Sequence, residues 1–130
     1  MKLLKKIFFN KLSIIILVIA FSLYIWYFVL WLNDYRETIW NYLPNTLYAT
    51  IPMMGGFIAM GRFKQWGGVK STLGKVLFFI GLGLLTWSIG MWIWTYYNLF
   101  LVVEIPYPSY SDFFYLLAYP LLGIGIILFG

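Results

Sequence analysis

The chain has 130 residues, of which 63% are hydrophobic, 23% are aromatic and only 10% are charged, with a net charge of +5. Soluble domains have about 25% charged residues, so this composition excludes a soluble globular protein and indicates an integral membrane protein. Cysteine and histidine are absent, which excludes disulfides, thiol chemistry, thiolate or histidine metal sites and histidine acid–base catalysis. The sequence therefore predicts no catalytic, metal or cofactor site.

Four apolar segments predict an all-α membrane bundle of four transmembrane helices. The first, about residues 12–32, is long enough to cross about 30 Å of hydrocarbon and too long for a signal-peptide core. The second, about 45–60, is shorter and contains Pro52. The third covers about 75–97 and the fourth about 110–130, and together the four form a single membrane domain.

The basic residues predict the orientation of this bundle. Only Arg36 lies in the first predicted external loop, 33–44, and the second external loop, 98–109, has no basic residue. The other basic residues precede the first helix or lie around the loop 61–74, and they are Lys2, Lys5, Lys6, Lys11, Arg62, Lys64, Lys70 and Lys75. Short cytoplasmic loops are enriched in Lys and Arg, so both ends of the chain are predicted to be cytoplasmic. The positive charge thus indicates topology in the plasma membrane rather than binding to nucleic acid.

Two features concern the extent of the chain. Gly130 ends an apolar helix without a polar or basic tail, so we expect the sequence to be incomplete at its C-terminus. A shift of 68 residues aligns Pro52 with Pro120 and Gly55 with Gly123, which suggests a duplicated helical hairpin. Few aligned positions are identical, and chance similarity is the preferred interpretation.

Small residues mark one face on each of two predicted helices. Gly83 and Gly90 lie on one face of the third helix, and Gly55 and Ala59 lie on one face of the second. Small side chains let helix backbones approach closely, and packing drives helix association in lipid. We therefore interpret these four positions as sites of helix packing, in preference to a cofactor site.

The acidic and aromatic residues concentrate toward the predicted external side. The acids lie in or beside the external loops, which argues against a self-contained ion pump; they are Asp34, Glu37, Glu104 and Asp112. The simplest interpretation of the aromatic residues is an outer belt with aromatic packing between helices. A sharper hypothesis is an outward-facing site for an apolar or cationic ligand, formed by Trp92, Trp94, Tyr115 and Tyr119.

The stretch "EIPYPSYSDFFYLLAYP", residues 104–120, is the most specific part of the chain. Its first prolines predict an extended approach to the fourth helix. Ser109 and Asp112 have the S-x-x-D spacing of a helix cap. Pro120 has no N–H for the carbonyl four residues earlier, so it predicts a kink and, together with Pro52, a hinge. No histidine or lysine lies nearby to activate a serine, and a hydrolase is disfavoured.

Residues 84–128, "LLTWSIGMWIWTYYNLFLVVEIPYPSYSDFFYLLAYPLLGIGIIL", resemble a segment of the multi-pass N-terminal membrane regions of prokaryotic signalling proteins. Such regions stand ahead of diguanylate cyclase (GGDEF), phosphodiesterase (EAL) or histidine kinase domains. In their pattern, P-x-P-S follows a tryptophan-rich turn, and D precedes an aromatic-Y-L run that ends in Y-P. The matching positions are Gly90, Trp92, Pro106, Pro108, Ser109, Asp112, Tyr115, Leu116, Tyr119 and Pro120. Ser111 replaces the commoner alanine, and the 130 residues of the sequence include no output domain.

The resemblance covers about the last third of the chain and implies a sensory input module without chemistry of its own. On this interpretation the partners are the lipid bilayer and, by packing, other membrane helices or a second copy of the chain. A structural or assembly subunit of a membrane complex and part of a transporter stay as alternatives. An enzyme is the least favoured class, since no residue pattern indicates a reaction.

Overall fold

The computed structural model of the protein describes residues 10–35 and 38–130. These residues are all-helical and include no strand, as the apolar segments predict. A 3-10 turn, Gly68–Lys70, precedes the third long helix, and a π-helical turn, Tyr97–Leu101, extends it. The long helices in chain order are α1 (Lys11–Leu32), α2 (Ile39–Arg62), α3 (Thr72–Tyr96) and α4 (Tyr110–Phe129).

The second helix is longer than the sequence predicts. It begins at Ile39 rather than near residue 45, so much of the predicted external loop 33–44 belongs to α2. Pro44, which looks like a helix boundary, lies inside the helix and is buried. Several residues on which the predicted orientation depends lie outside the described part of the chain, namely Lys2, Lys5, Lys6 and Arg36.

Three helices in the described residues are long and apolar enough to cross a membrane: α1, α3 with its π-helical extension, and α4. These helices indicate a membrane protein. The helix α2 has 24 residues but is not among the three, because Asn, Thr, Pro and Gly residues dilute its apolar side chains. Its composition differs from that of a helix surrounded by lipid.

The helix α3 is the centre of the bundle. It packs against α2 on one side and α4 on the other, whereas α1 packs only against α2 among the described helices. In the most apolar window of each helix, 39% of α3 is buried, compared with 6% of α1 and 11% of α4. Most of the apolar surface of α1 and α4 therefore remains for contact with lipid or other helices.

Two glycines of α3 let α4 approach closely. A Cβ atom at Gly83 would lie 2.7 Å from Leu122 Cγ, and one at Gly90 would lie 2.9 Å from Tyr115 Cδ1. Since real Cβ atoms do not come so close to other carbons, Leu122 and Tyr115 occupy the space that the glycines leave open. The α3–α4 interface is thus shaped by small residues on one helix and large residues on the other.

The contact between α2 and α3 is also built on small residues. A Cβ atom at Gly56 would lie 2.9 Å from the carbonyl oxygen of Gly81, and one at Gly81 would lie 3.0 Å from Ala59 Cβ. Gly55 lies beside Leu84, whose Cδ1 atom would be 3.3 Å from a Cβ at that glycine. The two backbones therefore approach each other directly, with Gly81 as the position on α3 that the sequence analysis did not identify.

Candidate functional site

A cavity of about 710 Å³ that is open to the outside of the bundle lies between the helices, and all four of them contribute to its wall. Its wall residues Tyr48 and Tyr119 are 47% and 61% exposed. Its residues lie near the middle of each helix, so the cavity is about equally far from the two ends of the bundle. Ligand sites in proteins are typically apolar cavities of about 300–1,000 Å³ with a few polar groups, and this cavity fits that description. Its walls include Ile16, Tyr48, Pro52, Trp87, Tyr119 and Leu122.

The polar groups of the cavity are few and neutral. Among the wall residues, the polar side chains are those of Tyr48, Trp87 and Tyr119, which carry phenol hydroxyls and an indole N–H. Among residues 10–35 and 38–130, none of these three side chains has a hydrogen-bond partner. No Asp, Glu, Lys or Arg is among the described wall residues. The cavity therefore offers hydrogen-bond donors in an uncharged, largely apolar environment.

A backbone acceptor adds to these donors at Pro52. Proline has no N–H, so Pro52 cannot donate to the carbonyl of Tyr48, and both residues lie in the cavity wall. No side chain in the described part of the chain donates to this carbonyl. The hydrogen-bond ladder of α2 is thus interrupted at the cavity.

The same helix contains a second proline, Pro44. Here a side chain supplies the hydrogen bond that the proline cannot donate. Pro44 cannot donate to the carbonyl of Trp40, and the indole Nε1–H of Trp26 in α1 donates to that oxygen at 2.9 Å. The two indole rings also contact each other, with centroids 6.2 Å apart. A side chain from a neighbouring helix therefore replaces the backbone donor at Pro44, and this bond ties α1 to α2.

The four aromatic residues of the predicted outer site do not form one group. The centroids of Tyr115 and Tyr119 lie 4.9 Å and 5.7 Å from that of Trp87. Trp94 pairs instead with Tyr42 of α2 at 5.8 Å. Trp92 lines a separate surface cavity of about 400 Å³. Only Tyr119 of the four lies in the wall of the central cavity, where its ring is perpendicular to that of Trp87.

Sequence reasoning did not select Trp87 as a site residue, although a signal for it exists. Gly83, Trp87 and Gly90 recur at i, i+4 and i+7, so they share one face of α3. Because the glycines mark the side on which another helix approaches, a tryptophan between them is expected to meet the aromatic side chains of that helix. Its contacts with two tyrosines of α4 follow this rule.

The predicted cap residues lie at the start of α4 and bond to one another. The Asp112 carboxylate accepts from the backbone N–H of Ser109 at 2.8 Å, and the Ser109 hydroxyl accepts from the backbone N–H of Asp112 at 3.3 Å. The Ser109 and Ser111 hydroxyls are 2.6 Å apart, and Ser111 is 1% exposed. These bonds supply partners for amides at the first turn of a membrane helix, a structural role that fits every polar group in the cluster.

The two predicted hinge prolines have different surroundings. Pro52 lies in the wall of the central cavity, whereas Pro120 is exposed on the surface of α4. The carbonyl that Pro120 cannot reach belongs to Leu116, which is also exposed. Both helices continue past their prolines. Only Pro52 therefore connects a break in the helix ladder with the cavity.

A polar contact between α2 and α3 lies closer to the end of the bundle that carries the Ser109 cap. The Asn45 side-chain amide donates to the Thr95 hydroxyl at 2.7 Å, and that hydroxyl donates to the carbonyl of Met91 at 2.9 Å. Thr95 is 2% exposed, and the neighbouring Thr46 hydroxyl is buried without a partner among the described residues. The sequence analysis did not identify these residues, since a single Asn in an apolar helix does not reveal its partner.

The comparisons with known proteins add no assignment to this geometry. No family model matches the chain, and neither the curated proteins nor the solved structures give a match. The described residues contain no group of His, Cys, Asp or Glu side chains that could hold a metal ion. The central cavity and the Pro52 interruption are therefore the features on which a functional proposal can rest.

Proposed function

We propose that the protein is a sensory input module of a signalling system in the plasma membrane. All four helices cross the bilayer, and both ends of the chain are cytoplasmic. The module carries out no chemistry and responds to its input by a change in helix packing. The observation that carries the proposal is the central cavity, since all four helices form its wall and Pro52 removes a backbone hydrogen bond of α2 there.

The length of α2 supports its inclusion as a span. Its 24 residues extend about 36 Å at about 1.5 Å per residue, which exceeds the roughly 30 Å of a hydrocarbon core. It packs against α1 and α3, and a helix between two others tolerates polar side chains such as Asn45, which bonds to Thr95.

The distribution of charge supports the orientation. The basic residues of the described part of the chain lie at one end of the bundle, and they are Lys11, Arg62, Lys64, Lys70 and Lys75. The acids Asp34, Glu104 and Asp112 lie at the opposite end. Because cytoplasmic loops are enriched in Lys and Arg, the connection between α2 and α3 is on the cytoplasmic side.

The packing order supports a role for α2 in transmission. The helix α2 contacts both α1 and the central helix α3, so a change of its direction at Pro52 alters both contacts. Proline-interrupted helices adopt more than one packing arrangement. The resemblance of residues 84–128 to membrane regions of signalling proteins is consistent with this role.

A chimera tests the proposal. The chain is fused at its C-terminus to the cytoplasmic part of a reporter histidine kinase, and output is measured for the double variant Pro52→Ala, Pro120→Ala and for each single variant. We expect a several-fold change of output in the double variant, with Pro52→Ala as the larger single effect. Gly61→Ala is the control, because a Cβ there meets nothing within 4 Å. An output equal to that of the wild type at equal protein level refutes the proposal.

A structural subunit of a membrane complex is the second candidate function. It is favoured by the surface of α1, since only 6% of its most apolar window is buried within the protein. A subunit of this kind co-purifies with one other membrane protein in constant proportion. Polar substitutions of Val18 or Phe21, both exposed on α1, remove that partner without unfolding α2, α3 and α4.

A further inference from the structure

The inference concerns the occupant of the central cavity and begins with the backbone of α2. Pro52 leaves the carbonyl of Tyr48 without its N–H donor, and both residues line the cavity. In hydrocarbon an unsatisfied carbonyl costs several kcal/mol, so a donor that reaches it is stabilising. At Pro44 the protein itself provides the donor, the indole of Trp26 at 2.9 Å. At Pro52 the described side chains provide none.

The polar side chains among the wall residues indicate what else the occupant carries. Tyr48, Trp87 and Tyr119 line the same cavity and carry hydroxyl and indole groups that can donate hydrogen bonds. A hydroxyl group both donates and accepts, so a hydroxyl on the occupant can donate to the carbonyl of Tyr48 and accept from a donor of the wall. A carbonyl or an ether on the occupant only accepts and leaves the Tyr48 oxygen without a partner.

The aromatic and apolar residues of the wall indicate the rest of the ligand, apart from its hydroxyl group. The rings of Trp87 and Tyr119 are perpendicular, with centroids 5.7 Å apart, and edge-to-face groups of this kind accommodate a further aromatic ring. Ile16, Leu84 and Leu122 are apolar. No charged side chain is among the described wall residues, and an ion would be unpaired at this depth, so the occupant is neutral.

We infer that the central cavity binds a neutral aromatic alcohol, that is a phenol or hydroquinone ring with an apolar substituent, whose hydroxyl donates to the carbonyl of Tyr48. The inference rests on the proposed function in one respect, since the helices must cross a membrane for the cavity to lie in hydrocarbon. It extends that function by naming the chemical class of the input.

Two probes that differ in one hydrogen-bond donor test the inference. They are 4-decylphenol and its methyl ether, 4-decylanisole, which has the same ring and chain but no hydroxyl hydrogen. The full chain is placed in nanodiscs of phosphatidylethanolamine and phosphatidylglycerol and labelled with a diazirine-bearing alkylphenol. Each probe competes for labelling of the peptides that contain Tyr48 or Trp87, and labelling is measured by mass spectrometry.

The expected result is competition by 4-decylphenol at about tenfold lower concentration than by 4-decylanisole, since one hydrogen bond contributes about that factor. In Pro52→Ala the restored N–H donates to the carbonyl of Tyr48, so labelling persists and the preference falls to about onefold. Pro120→Ala is the matched control and keeps the tenfold preference, because Pro120 does not line the cavity.

Several results overturn the inference. Equal competition by the two probes in the wild-type protein shows that an alkyl chain alone fills the cavity. Absence of labelling at these peptides shows that lipid or water occupies it. A preference that survives in Pro52→Ala shows that the phenol donates elsewhere.

The binding assay is independent of the reporter chimera. Probe preference without an effect of 4-decylphenol on kinase output supports the binding site and refutes the sensor. A change of kinase output in Pro52→Ala without probe preference supports the sensor and refutes the ligand class.

Discussion

The close approach of α2 and α3 at Gly56 gives the most direct test of the bundle. In Gly56→Ala the new methyl group would lie 2.6 Å from Leu85 Cγ and 2.9 Å from the carbonyl oxygen of Gly81. The Leu85 side chain can change its rotamer, but the carbonyl belongs to the backbone of α3. The two helices must therefore separate to accept one methyl group.

The change in the free energy of unfolding in Gly56→Ala follows from two opposing terms. Insertion of a methyl group into a well-packed interface costs about 1–3 kcal/mol. Replacement of glycine by alanine in a helix stabilises it by up to about 1 kcal/mol. With the full alanine term the net loss of stability in Gly56→Ala is about 0–2 kcal/mol. We expect the upper half of this range, because the contact with the Gly81 carbonyl is with backbone. In Gly61→Ala, on the same helix, the new methyl group meets nothing within 4 Å, so only the stabilising term remains.

Reversible unfolding in mixed micelles measures the difference between these two variants. Sodium dodecyl sulfate is titrated while helix content is followed by circular dichroism, and both variants are compared with the wild-type protein. The midpoint for Gly56→Ala is expected below that of the wild type, and the midpoint for Gly61→Ala at or above it. Equal midpoints for the two variants would mean that α2 and α3 do not meet at Gly56, and the cavity beside this contact would lose its basis.

Three further predictions concern polar contacts. Asn45→Ala and Thr95→Ala each lower stability by about 0.5–1.5 kcal/mol. The double variant loses no more than the larger single effect plus about 0.5 kcal/mol, because the bond that joins the two side chains is already lost in each single variant; additive losses in the same micelle titration contradict this. Ser109→Ala lowers stability by about 0.5–2 kcal/mol through loss of the cap, and hydrogen exchange of the first turn of α4 is expected to rise, so unchanged exchange would be inconsistent. Trp26→Phe keeps an aromatic ring but leaves the Trp40 carbonyl without its donor. Disulfide trapping between cysteine pairs introduced into α1 and α2 is therefore expected to spread over more pairs than in the protein without this substitution; trapping confined to the same pairs would exclude this role.

The helices α1, α3 and α4 could be predicted from the sequence because each is a nearly continuous apolar run. The start of α2 could not. A proline within a helix usually marks a boundary, and Pro44 followed by Asn45 has that pattern. The helix continues through Pro44 because Trp26 donates to the carbonyl of Trp40. That donor lies in another helix, so no local window of sequence contains it.

The contacts of the candidate site also differ in whether the sequence predicts them. Ser109 and Asp112 bond to each other across three residues, and such a local spacing is readable in the sequence. Trp92 and Trp94 are two residues apart, which on a helix places them about 200° apart, so periodicity alone separates them into different groups. The contact of Trp87 with Tyr119 depends on which face of α4 meets α3, and that choice depends on the packing of both helices.

The two prolines of α2 connect the proposed ligand of the central cavity with the packing of the helices. At Pro44 a donor from α1 completes the ladder of α2, and the helix is tied to its neighbour at 2.9 Å. At Pro52 the carbonyl of Tyr48 lacks its backbone donor and both residues line the cavity, so a hydroxyl of the proposed occupant that donates to this carbonyl would complete the ladder in the same way. A ligand shifts an equilibrium only if it binds one state better than the other. An occupant that bonds to the carbonyl of Tyr48 meets this condition, because it stabilises the geometry of α2 in which that carbonyl faces the cavity. Since α2 contacts both α1 and α3, stabilising one geometry of α2 would, on the proposed function, favour one arrangement of these three helices.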